Sequence, residues 1–142
     1  MKEKPKILRA IITSLLTFFV FGAVYMLVYL IIGGILEILS MIPLISGLID
    51  LLFYFRRDNP DMMLSILSPT ISFFISMATQ VALNKDNPTR GLSLILLGIY
   101  IMLLHIVSIP INIIYGEGIL KNIVQVIVGF IFFNSGRSEI RD

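Results

Sequence analysis

The chain has no cysteine, no tryptophan and one histidine in 142 residues, and only 14% of its residues are charged. Without cysteine there is no disulfide framework, no thiolate metal site and no cysteine nucleophile. A lone histidine cannot build a histidine-rich metal centre. The scarcity of charge excludes an ordinary soluble domain, in which roughly a quarter of the residues are charged. Eleven basic residues against nine acidic ones leave no basic face for nucleic acid. A phosphate loop of the G-x-x-x-x-G-K-S/T kind, a His-Glu-x-x-His zinc helix and a G-x-S-x-G elbow are also missing. Ser72, His105 and Asp50 could be written down as a hydrolase triad, but serine is so frequent here that the set has little specificity. The expectation is a protein that is not an enzyme and needs neither metal nor cofactor.

What the chain has instead is apolar length. It is 57% hydrophobic, with a mean hydropathy of +0.97. At about 20 apolar residues per crossing helix, it holds four or five spans joined by short loops. The charged start Met1-Lys2-Glu3-Lys4-Pro5-Lys6 is followed by an apolar run far longer than the roughly 7–15 residues of a cleavable signal, so it reads as a retained anchor. The polar breaks give spans at about 7–32, 36–55, 62–83 and 91–114, with Gly33-Gly34 making the first reversal. A short amphipathic stretch, 119–133, is too short to cross upright and would be a fifth span only if tilted. The fold class is thus an all-α integral membrane protein, a single domain of four transmembrane helices plus that short C-terminal segment.

Retention of Lys and Arg on the cytoplasmic side sets the orientation. The four-span reading puts both termini inside and leaves only Lys85 and Arg90 outside. The expected location is a cell membrane, by default a bacterial-type inner membrane. One internal similarity is visible: Asp58-Asn59-Pro60 with Leu64-Ser65 repeats as Asp86-Asn87-Pro88 with Leu92-Ser93. An Asn cap followed by Pro in the first turn explains it locally, and an inverted repeat is the sharper alternative.

Polar residues inside the spans are costly in hydrocarbon, so their placement carries the functional signal. Ser65, Ser68, Ser72, Ser76, Thr79 and Gln80 share one face at helical spacing. They form either a close-packed helix interface or the wall of a pore. Gly91, Gly98, His105 and Asn112 recur every seven residues with Ser108 beside them, a seam where another helix can approach. His105 and Asn112 are candidates for gating or a proton relay. Pro110 frees the Ile106 carbonyl as a further local acceptor. Asp50, with Ser46, Tyr54 and Arg57 on its face, is the deep carboxylate and the candidate for charge selection. Thr13, Ser14, Thr17, Tyr25 and Tyr29 are scattered in the first span and receive no role. Three polar seams exceed what one small bundle needs. The expected partners are therefore the lipid bilayer and either further copies of the chain or another membrane protein. Two functions compete: a homo-oligomeric pore for ions or small solutes, or a non-catalytic accessory subunit of a larger membrane complex.

Overall fold

The computed structural model describes residues 3–52 and 62–141. Among these residues five helices follow one another: α1 (Ile7–Ser40), α2 (Pro43–Leu52), α3 (Met62–Leu83), α4 (Asn87–Ile114) and α5 (Leu120–Arg141). All regular structure among the described residues is helical, and α1, α3, α4 and α5 are long and apolar enough to cross a membrane.

The four long helices are not the four stretches expected from the sequence. Gly33-Gly34 does not reverse the chain, because an unbroken apolar run keeps the helix going through both glycines. The break comes at Met41-Ile42, immediately before Pro43, whose ring disfavours helical geometry in the residue before it. Of the stretch 36–55, residues 36–40 belong to the end of α1 and 43–52 to α2, while 53–55 lie outside the described residues. The ten described residues of α2 rise about 15 Å at 1.5 Å per residue. The fourth long helix is supplied instead by α5, which continues past 133 to Arg141. Its polar residues had made it read as amphipathic, and they turn out to face α4.

The packing order places α1 against α3 and α4, and α5 against α4 and α3. One end of the bundle gathers the start of α1, the end of α3, the start of α4 and the end of α5. There the Lys6 amide donates to Thr89 Oγ1 at 3.0 Å, the Arg9 guanidinium donates to the Leu83 carbonyl, and Arg90 Nε reaches Glu139 Oε2 at 2.7 Å. Arg90 also donates to the Asn84 carbonyl at 3.2 Å and to Asn87 Oδ1 at 2.7 Å. Two arginines thus satisfy carbonyls at the C-terminal end of α3, which its own helix leaves open. Lys85 and Arg90 therefore lie at the same end of the bundle as the chain termini, where the four-span reading had them opposite.

Asp86, rather than Asn87, caps α4, its carboxylate accepting from the Thr89 amide at 3.3 Å and from the Thr89 hydroxyl, with Pro88 in the first turn. The hydroxyl bond holds the Asp86 carboxyl below its ordinary pKa. The repeat's first copy, 58–60, lies outside the described residues.

The interior is more polar than the surface. Among the described residues thirteen polar side chains are buried against eight apolar ones, while long aliphatic side chains of α1, α4 and α5 stand outward. This is the reverse of a water-soluble protein and suits a hydrocarbon surround. The apolar centre is small: Phe132 packs edge-on to Phe21 at 6.0 Å and against Phe73 at 4.7 Å, over Leu94, Leu97 and Ile101.

Candidate functional site

The closest approach in the bundle follows from a pair of matched heptads. On α4 the repeat is Gly91, Gly98, His105. On the antiparallel α5 it is Asn122, Gly129, Gly136. The two repeats meet in register. A Cβ on Gly91 would stand 2.7 Å from the Gly136 carbonyl oxygen, and one on Gly129 would stand 2.9 Å from that of Gly98. The next step of the same register brings His105 Nδ1 to 3.3 Å from Asn122 Oδ1. Two glycine layers and one hydrogen-bonded layer therefore set the distance between the helices, since only glycine leaves room for backbone to touch backbone. The imidazole pairs with Asn122 and makes no bond to the Ile106 carbonyl.

The serine stripe of α3 is sealed inside the chain. Ser65, Ser68, Ser72, Ser76 and Gln80 are buried, Thr79 is half-buried and bonds back to the Ile75 carbonyl at 2.8 Å. The hydroxyls of Ser68, Ser72 and Ser76 have no partner among the described residues. Small size, which lets helices pack closely, is what this face provides. The stripe leads to a hydrogen-bonded hub that the sequence reading left without a role, centred on Thr13. Asn84 Nδ2 donates to Thr13 Oγ1 at 2.9 Å and to Gln80 Oε1 at 3.0 Å, and Gln80 Nε2 donates to Thr17 Oγ1 at 2.8 Å. Thr13 gives its own proton to the Arg9 carbonyl at 2.8 Å, so Ser93, 3.0 Å away, is the donor in that contact. The signal was present: Ala10, Thr13, Thr17 and Phe21 recur at three and four residues and form the buried face of α1.

Where α4 and α5 continue beyond the glycine layers they part from α1 and leave a cleft of about 960 Å³. Its α4–α5 wall carries His105, Ser108, Asn112, Lys121, Asn122 and Gln125, with Glu117 from the connecting turn. The opposite wall is α1 from Phe18 to Leu30, including Tyr25 and Tyr29, whose rings stack at 6.4 Å. Ser108 donates to the Leu104 carbonyl at 2.7 Å. Asn122 Nδ2 and Gln125 Oε1 are buried without partners among the described residues. In volume the cleft matches ordinary small-molecule sites of about 300–1,000 Å³, which combine apolar walls with a few polar groups.

Of the candidate site residues, His105 and Asn112 share this cleft, and the serine stripe does not line it. Asp50 belongs to α2, but its side chain, like Tyr54 and Arg57, lies outside the described residues. Ser72 and His105 make no hydrogen bond to each other. Among the described residues no three His, Asp or Glu side chains gather as a metal site. No protein family, curated protein or solved structure matches this chain.

Proposed function

We propose that this chain is an integral membrane protein of four spans, α1, α3, α4 and α5, whose working part is the cleft beside His105. In this reading it is a non-catalytic binding protein that takes a small molecule into the outer half of the bundle. The observation that carries the reading is the cleft itself: an aromatic wall facing a polar one, with one buried amide donor and one buried amide acceptor left without a partner among the described residues on the polar side. A pore built by copies of the chain around the serine stripe is less favoured. That stripe faces α1 and the bundle interior, so a path between copies would have to find another wall.

Orientation follows from charge. Of the described Lys and Arg residues, Lys4, Lys6, Arg9, Lys85, Arg90, Arg137 and Arg141 lie at the end holding the termini, and Lys121 alone lies at the other. Positive residues stay cytoplasmic, so both termini are inside and the cleft mouth, at Glu117 and Lys121, faces outward. The start of α2, which follows α1, then lies at the outer end of the bundle.

The absence of native cysteine makes the test direct, because every introduced thiol is unique. Ser108→Cys and Asn112→Cys should react from outside the cell with a small membrane-impermeant thiol reagent. Leu97→Cys, in the packed centre, should not. Equal silence at all three positions would refute the cleft as an open site.

A further inference from the structure

The cleft changes character along its length. At its mouth stand one carboxylate, Glu117, and one ammonium, Lys121, neither of them in an ion pair among the described residues. Deeper come the hydrogen-bonding groups of Asn112, Ser108 and His105. Beside them Asn122 is 5% exposed and Gln125 2%, and they keep one donor and one acceptor unused. The floor is apolar, made by Phe18, Phe21 and Ile101. From Asn112 to Ile101 the helix rises about 16 Å, close to half of a hydrocarbon core of about 30 Å. That is the depth of one leaflet. The rim on α1 is Met26 and Leu30, both exposed apolar side chains, so the cleft opens sideways into a lipid layer.

Resting on the reading of the cleft as a binding site, we propose that it holds one zwitterionic lipid with a primary-ammonium head, of the phosphoethanolamine class. The phosphate lies on Lys121 and the ammonium on Glu117. The ester region meets the polar wall, and an acyl chain descends to the phenylalanine floor. A wholly anionic head leaves Glu117 facing like charge. A quaternary ammonium has no N–H to donate to the carboxylate and forfeits a charge-assisted hydrogen bond. That loss corresponds to about a tenfold or greater preference for the primary amine.

The experiment is native mass spectrometry of the full chain released from nanodiscs containing equal parts of phosphatidylethanolamine, phosphatidylcholine and phosphatidylglycerol. The expected result is one retained phosphatidylethanolamine per chain, favoured about tenfold over phosphatidylcholine. Glu117→Gln should remove that preference and Lys121→Gln should lower retention of both zwitterionic lipids. Lys85→Gln, at the far end of the bundle, should do neither. Adducts in proportion to lipid supply, a preference for phosphatidylglycerol, or a preference that survives both cleft substitutions would overturn the proposal. If this happens while Asn112→Cys remains reactive from outside, the lipid assignment falls and the open cleft stands. If Ser108→Cys and Asn112→Cys are both silent, the binding-site reading itself has failed.

Discussion

Replacing Gly98 by alanine probes the contact on which the cleft depends. The added Cβ would stand 2.8 Å from the backbone nitrogen of Phe133 and closer still to the Gly129 carbonyl oxygen. Both obstacles are backbone, so no side chain can swing aside. An ordinary carbon–oxygen contact is about 3.3–3.6 Å, so α4 and α5 must part by roughly 1 Å. A gap of that size forfeits about a quarter to a half of each atom-pair attraction of about 0.1–0.2 kcal/mol. Over roughly 40 pairs, the number that one buried leucine makes, this comes to about 2 kcal/mol. The His105–Asn122 bond, at 3.3 Å already near its limit, would also be lost, adding about 0.6 kcal/mol. Gly34→Ala is the matched control, since nothing lies within 4 Å of its Cβ position in mid-helix. It should leave stability unchanged or raise it by up to about 1 kcal/mol. Denaturing-detergent titration in bicelles compares the two. If Gly98→Ala proves as harmless as Gly34→Ala, the glycine layers do not set the helix spacing and the reasoning fails.

Further outcomes follow from the other contacts. Gln80→Leu removes three hydrogen bonds of the Thr13 hub; at about 0.6 kcal/mol each within a membrane, the same titration should read a loss of about 2 kcal/mol. Asp86→Ala, which deletes the α4 cap, should cost about 1 kcal/mol. Because the Asp86 carboxyl titrates below its ordinary value of 3.8, its contribution is full above that pH and disappears as the pH falls through the depressed value. Stability scanned from pH 6 downward should therefore contain an acid-sensitive component that Asp86→Asn lacks. An unchanged acid profile in Asp86→Asn would assign that component elsewhere.

How much of this was readable from the residues depends on which neighbour a residue meets. The heptad Gly91, Gly98, His105 announces a helix interface by itself, because small residues spaced at two turns have no other use in hydrocarbon. Its partner was harder to see. Lys121, Asn122, Gln125 and Gly129 share one side of the last helix, and polarity on one side suits a surface helix as well as one buried against a polar seam. Charged and polar residues from Asn134 to Arg141 also lower the hydropathy of α5, which hid its full length. The serine face of α3 was legible as a stripe, but a stripe does not name what covers it. The covering helix is α1, whose Thr13, Ser14 and Thr17 read as scattered because two adjacent residues blur the helical period. Gly33-Gly34 misled for a different reason. In a long apolar run helix formation satisfies every backbone group, and proline at 43 was a stronger stop than two glycines.

The arrangement of α1, α3, α4 and α5 as the spans underlies every functional statement above, and sidedness tests it most directly. Lys85→Cys, in the turn before α4, and Gly118→Cys, in the turn before α5, are each treated with impermeant thiol reagent in intact cells and then after lysis. The account predicts that Gly118→Cys reacts from outside and Lys85→Cys only once the cytoplasmic face is opened. Reaction of Lys85→Cys from outside, with Gly118→Cys protected, would contradict it and restore a crossing by the stretch 36–55.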